Sequence, residues 1–83
     1  MRIICPVHAK ERMELRKITE EQVEQAVRNP DILLPTLHKG RKRVMKQFGF
    51  KTLDVFYEPR GEDKIVLVTA VWLKKKDRKT GGE

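Results

Sequence analysis

Residues 65–73 read IVLVTAVWL, an apolar run with no charged side chain on either face of the strand it would form. A strand with one solvent-exposed face alternates apolar and polar residues, whereas a continuous apolar run is typical of a strand that is covered on both faces. We therefore expect this segment to lie in the interior of a sheet. Because a chain of 83 residues supplies a single modest core, the other elements have to be arranged around this strand.

Two helices are predicted ahead of the sheet. The first spans about residues 6–16, since Pro6 suits the first turn of a helix. The second begins at Thr19, an N-cap whose capping box is completed by Gln22, and it ends before Pro30. The sharp start of the second helix fixes where the chain turns back after the first.

Three further segments have the character of strands. Residues 43–48 and 51–58 alternate apolar and polar side chains, and the Gly49-Phe50 pair between them predicts a tight turn. Pro35 interrupts residues 32–38, so we expect an edge strand or a bent strand there.

Helices followed by antiparallel strands indicate an α+β fold. We predict two N-terminal helices packed on a three- to four-stranded antiparallel sheet, with residues 1–5 as a short extended segment. One domain is expected over residues 1–73. Residues 74–83, KKKDRKTGGE, have nothing apolar to bury, and we expect them to form a disordered basic tail.

The net charge of +7 is unevenly distributed along the chain. Residues 39–46 contain no acid and five basic side chains: Lys39, Arg41, Lys42, Arg43 and Lys46. Such a cluster is the electrostatic signature of a nucleic-acid partner, and we take these five residues as candidate nucleic-acid-binding residues. The alternative is a basic surface that serves only solubility or heat resistance.

Several classes of site are excluded by composition. The chain has no serine, no Gly-rich phosphate loop, one cysteine and two histidines, so neither a nucleophile elbow nor a structural zinc site is expected. We predict no cofactor and no metal. Cys5 is interpreted as a small buried hydrophobe, with a thiol nucleophile beside His8 as the alternative. The apolar runs are too short to cross a membrane and the N-terminus does not resemble a signal peptide, so a cytoplasmic protein is expected.

The segment 8–27 places His8, Arg12 and Arg16 at intervals of four, which aligns them on one face of the first helix. Metal-independent RNA cleavage needs a group that accepts the 2′-hydroxyl proton and cations that hold the charge growing on the phosphate. Histidine and arginine supply both. The three residues are therefore candidate catalytic residues, and an ordinary solvated helix face is the alternative.

The predicted sheet offers a second set of such groups. His38 is an alternative proton acceptor, and Arg41 and Arg43 alternate along a strand and share one face. Tyr57 is a candidate to stack or hydrogen-bond a base, so we include it among the catalytic candidates. Its alternation with two apolar residues favours instead a place in the core, with the hydroxyl at the sheet edge.

The segment from His8 to Val23 resembles the DUF4258 family, whose members open with the pattern H-A-x-x-R-M-x-x-R-x-I-[TS]-x-x-x-[VI]. The resemblance extends through the strands to Trp72. Lys17 departs from it, since many members have glycine there, and this indicates an ordinary turn between the helices. The family is similar in outline to the RelE/ParE toxins, which place two helices against a curved antiparallel sheet.

That resemblance implies a function as an RNA-binding protein or a metal-independent ribonuclease of toxin–antitoxin type. The implied partners are RNA, including ribosome-bound mRNA, and an antitoxin protein; some related toxins poison gyrase instead. Two other interpretations stay open. One is a non-catalytic module that binds nucleic acid through residues 39–46 and the basic tail. The other is a protein-interaction domain whose edge strand near residues 32–37 pairs with a second copy, as a homodimer, or with another protein.

Overall fold

The computed structural model describes residues 1–74, which form two helices and a five-stranded sheet. The elements in chain order are β1 (Arg2–Ile4), α1 (Val7–Arg16), α2 (Glu20–Arg28), β2 (Ile32–Leu34), β3 (Lys42–Phe48), β4 (Lys51–Pro59) and β5 (Lys64–Lys74). The predicted α+β class is confirmed. The predicted basic tail falls, apart from its first residue, outside the described residues.

The sheet has the strand order β1-β5-β4-β3-β2. The interior position predicted for the apolar strand is confirmed, because β5 lies between β1 and β4. The prediction of a three- to four-stranded, purely antiparallel sheet was wrong: there are five strands, and β1 pairs parallel to β5 with Ile3 opposite Ile65. A three-residue strand that joins a partner some 60 residues away leaves no local turn signal in the sequence.

The helices cover one face of the sheet. Leu53 and Val55 of β4 and Val23 and Ala26 of α2 are fully buried, with no exposed surface. The buried core also contains Ala9, Met13, Ile18, Val44, Tyr57, Ile65, Leu67 and Ala70. Because side chains alternate along a strand, the residues between these buried positions point to the other face, on which neither helix packs.

The capping box predicted at the start of α2 is confirmed. Thr19 Oγ1 accepts a hydrogen bond from the Gln22 amide at 3.1 Å, and Gln22 Oε1 accepts one from the Thr19 amide at 3.0 Å. These two bonds satisfy amides that have no partner within the helix. The start of α2 is thereby fixed at the position read from the sequence.

The turn between the helices is a Schellman motif. The amide of Ile18 donates to Met13 O at 2.9 Å, the amide of Lys17 donates to Glu14 O at 3.2 Å, and both Ile18 and Met13 are buried. Lys17 has a φ of 58° and a ψ of 46°, the left-handed conformation that favours glycine. The turn is therefore more than an ordinary connection, and the lysine at this position carries a conformational cost.

No helix within residues 1–74 is long and apolar enough to span a membrane.

We expect Lys17→Gly to raise the free energy of unfolding by about 0.5–1 kcal/mol, because glycine adopts a positive φ without steric penalty. The matched control is Lys10→Gly, an exposed position inside α1, which should lower the free energy of unfolding by about 1 kcal/mol. Urea unfolding followed by circular dichroism measures both. A Lys17→Gly protein that is less stable than the wild type would contradict the left-handed turn.

Candidate nucleic-acid interface

A hairpin sets the register of the basic strand. The Gly49-Phe50 turn joins β3 to β4, and Gly49 has a φ of 66°, as the first residue of a type II′ turn requires. In this register Arg43 lies opposite Phe56 and Met45 opposite Asp54. These four side chains project from the face opposite the helices, since the alternate residues on both strands are buried beneath α2.

Arg43 and Asp54 form a bidentate ion pair on this face. The guanidinium donates from Nε to Oδ1 at 3.0 Å and from Nη2 to Oδ2 at 2.8 Å, and it lies 4.8 Å from the centroid of the Phe56 ring. Asp54 is only 3% exposed, although no helix covers it. The hydrogen bonding of the Arg43 guanidinium to the Asp54 carboxylate raises the pKa of Arg43. The pair thus holds a permanent cation in one orientation above an aromatic ring.

The chain between β2 and β3 forms, together with this cation, an open cavity of about 260 Å³. Thr36 Oγ1 lies 3.0 Å from both His38 O and Arg41 O, which organises the loop. The lining residues are Pro35, Thr36, Leu37, His38, Arg41, Arg43 and Phe56. An adjoining cavity of about 390 Å³ shares several of these residues and extends to Leu33, Leu34 and Lys42. Imidazole, guanidinium and aromatic groups therefore share one concave surface.

Glu58 connects two further arginines beside this surface. Its Oε2 lies 4.0 Å from Arg41 Nε, and its Oε1 lies 2.7 Å from Arg60 Nη2. The hydrogen bond from Arg60 holds the pKa of Glu58 below its ordinary value, so the carboxylate is ionised at neutral pH. One carboxylate facing two guanidinium groups leaves an excess of positive charge at the rim of the cavity.

The helical candidates lie on the opposite side of the sheet from Arg43. His8 and Arg12 are exposed on α1. Arg16 docks α1 onto β5, because its Nη1 donates to Ala70 O at 2.9 Å while its own carbonyl accepts from Trp72 Nε1 at 2.9 Å. The structure therefore does not bring the His8–Arg12–Arg16 stripe together with the cavity.

The remaining predicted residues divide between the two faces. Tyr57 lies in the core at 7% exposure, and burial raises its pKa. Lys46 lies on the same face as the buried Val44 and donates to Asn29 O at 3.1 Å, at the end of α2. Lys39 and Lys42 are exposed, and Lys42 lines the adjoining cavity. Of the predicted residues, His38, Arg41 and Arg43 are those that line one cavity.

Asp54 and Phe56 were not singled out by sequence analysis. The sequence contained a signal for both residues, namely the position of the Gly49-Phe50 turn. A two-residue hairpin at this turn pairs Phe48 with Lys51, and each step back along β3 then pairs with one step forward along β4. That register puts an acid diagonally across from Arg43 and an aromatic ring directly across from it. Composition and alternation alone cannot identify such a pair, because both depend on which residues face each other.

Within residues 1–74, no group of three or more His, Cys, Asp or Glu side chains could hold a metal ion.

Asp54→Asn is expected to lower the free energy of unfolding by about 1–3 kcal/mol, because it removes the charge from a buried, bidentate pair and leaves Arg43 partly unsatisfied. Asp63→Asn, at an exposed position whose carboxylate lies 3.6 Å from the N-terminal amine, is the matched control and should change it by less than about 0.5 kcal/mol. Denaturant unfolding measures both. Equal changes in the free energy of unfolding for the two substitutions would contradict a stabilising role of the Arg43–Asp54 pair.

Cys5 is in a poor environment for a nucleophile. Burial raises the pKa of its thiol, and Glu20, whose Oε2 lies 3.9 Å from Sγ, raises it further. We expect iodoacetamide to alkylate Cys5 more slowly than free cysteine at pH 7.5, and we expect Glu20→Gln to accelerate the reaction. Mass spectrometry of timed samples gives the rates. A wild-type rate above that of free cysteine would restore the thiol nucleophile as a candidate.

Comparison with known proteins places the chain in one family. The model of the DUF4258 family, described as a domain of unknown function, matches residues 7–72. No curated protein and no solved structure gives a match. The matched residues include both helices, strands β2–β4 and most of β5, and therefore the cavity as well as the opening motif. Since the match spans well over half of the chain, the protein belongs to the DUF4258 family.

Proposed function

We propose that the protein binds RNA through the concave surface lined by His38, Arg41, Arg43 and Phe56, which we call the basic cavity. The observation that carries the proposal is the convergence of three nitrogen-bearing side chains and one aromatic ring on the helix-free face. Guanidinium groups match phosphate oxygens, and an aromatic ring offers a surface to a base.

The charge of the surrounding surface supports the same proposal. Residues 32–53 contain six lysines and arginines and no acid. Lys39 and Lys42 are exposed and follow the cavity residues His38 and Arg41 in sequence, so they would attract a polyanion before any specific contact forms. Because charge alone selects no particular polyanion, the aromatic ring and the shape of the cavity are what favour a single-stranded segment.

The finer proposal is a metal-independent endoribonuclease of toxin–antitoxin type. It is motivated by the similarity in outline to RelE/ParE toxins, a fold-level analogy that carries no residue roles by itself. Two histidines compete as the proton-transfer group. His38 shares the cavity with two arginines, whereas His8 has Arg12 beside it on α1, so the two lie in separate sites and can be tested separately.

We expect Arg41→Ala to weaken binding of a labelled single-stranded 12-mer RNA about five- to tenfold, and to reduce the slope of log affinity against log salt by about 0.7. Arg28→Ala on α2, whose side chain pairs with Glu24, is the matched control and should leave affinity unchanged. Fluorescence anisotropy at several salt concentrations gives both quantities. Equal losses in the two variants would indicate non-specific attraction and contradict the cavity as the site.

Cleavage is tested in the same preparation with labelled total RNA in EDTA, comparing wild type with His8→Ala, Arg12→Ala and His38→Ala. Loss of cleavage in His38→Ala alone, with RNA affinity retained, would place the proton transfer in the basic cavity. Loss in His8→Ala and Arg12→Ala would place it on α1. Absence of cleavage by the wild type, with and without ribosomes, would reduce the proposal to RNA binding.

A further inference from the structure

The outer edge of the sheet is open at β2. This strand pairs with β3 on one side and with no other described strand on the other. Its side chains include Ile32 at 49% exposure and Leu33 at 73%, and Leu37 beyond it is fully exposed. An unpaired edge presents backbone N–H and C=O groups to which another extended segment can hydrogen-bond.

Natural edge strands are usually protected by charge, proline or a covering element. Here Pro35 follows the strand and limits its length, but the three residues of β2 are all apolar and carry no charge. The opposite edge differs, because β1 begins with Arg2, which is exposed. The β2 edge is thus the less protected of the two.

The strand behind this edge is basic on both faces. Lys42 lies on the same face of the sheet as Leu33, and Arg43 lies opposite Leu34 on the other face. The nearest acid in the sequence is Asp31, which precedes the strand and accepts a hydrogen bond from the Gln47 amide at 2.8 Å. A segment added along β2 would therefore meet apolar side chains next to it and cations beyond them.

We infer that β2 is a docking edge for an extended acidic segment of another protein, which adds to the sheet as a sixth strand. Acidic side chains of that segment would face Arg41 and Arg43 on the helix-free face, while an apolar side chain would lie against Leu33 on the other face. Charge argues against a second copy of this chain in the same place, since pairing β2 with β2 would bring two identical basic clusters together. This inference does not depend on RNA binding.

The test uses a fluorescein-labelled peptide of ten residues that alternates glutamate and valine. The wild type should bind it with an affinity that falls as salt rises, and the amide resonances of residues 32–34 should shift in ¹⁵N–¹H spectra. Leu33→Ser should weaken binding at least about fivefold. Leu15→Ser is the matched control, because Leu15 is 82% exposed on α1, and it should leave affinity unchanged.

Two further arms separate strand addition from attraction by charge. A peptide of equal charge with proline at its two central positions cannot form the ladder and should not bind. Arg41→Ala should weaken binding of the alternating peptide, because its glutamates lie on the face of Arg41 when its valines lie on the face of Leu33. Equal affinity of Leu33→Ser and wild type, binding of the proline peptide, or no binding at about 1 mM peptide would each overturn the inference.

Analytical ultracentrifugation of the free protein tests the alternative occupant of the β2 edge, a second copy of this chain. A dimer that Leu33→Ser dissociates would assign the edge to a second copy and overturn the acidic segment. The RNA titration of Leu33→Ser keeps the two proposals distinguishable. Unchanged RNA affinity beside lost peptide affinity is the expected result, and failure of RNA binding in every variant would leave the peptide result standing.

Discussion

The packing of α2 against β4 is the interaction on which the rest of the structure depends. Four side chains that meet there, Val23, Ala26, Leu53 and Val55, have no exposed surface, and in a chain this small such contacts supply most of the stability. The capping box fixes where α2 begins, and the Schellman turn at Lys17 directs α1 onto β5. Arg16 then donates a hydrogen bond to Ala70 O and accepts one from Trp72 Nε1 at its own carbonyl, and these two bonds hold α1 in place. Burial thus fixes the helices on one face of the sheet and leaves the other face without a helix over it.

This one-sided arrangement explains how a buried acid can lie on a face without helices. Asp54 is surrounded by its own strand neighbours and covered by Arg43, which satisfies both carboxylate oxygens. Leaving such a carboxylate unpaired would cost several kcal/mol of folding free energy. The pairing therefore also fixes the orientation of the Arg43 guanidinium. The same contacts place its guanidinium over Phe56 at the wall of the cavity. A structural requirement of the sheet therefore orients the cation that the proposed site uses.

Local signals predicted most of the fold. The capping box, Pro30, the Gly49-Phe50 turn and the alternation of β4 gave the helices and the hairpin because each depends on residues close in sequence. The parallel pairing of β1 with β5 could not be predicted, since it joins distant segments. The spatial arrangement of the candidate residues was predicted less well for the same reason. A spacing of four aligns His8 and Arg12 on one helix face, but it does not reveal that Arg16 donates a hydrogen bond to β5. Likewise, the alternation along β4 left open whether Tyr57 contacts a ligand or lies in the core, where the structure places it.

The basic side chains in and around the basic cavity fall into two groups, paired arginines and exposed lysines. Arg43 is neutralised by Asp54, and Arg41 and Arg60 share Glu58, so these arginines are held in place but contribute a reduced net charge. Lys39 and Lys42 lie outside these pairs and are exposed. The lysines would attract a polyanion over a distance set by salt, whereas the oriented arginines and Phe56 would discriminate at contact. Removing a lysine should therefore change mainly the rate of association and its salt dependence, and removing Arg43 should change the lifetime of the complex.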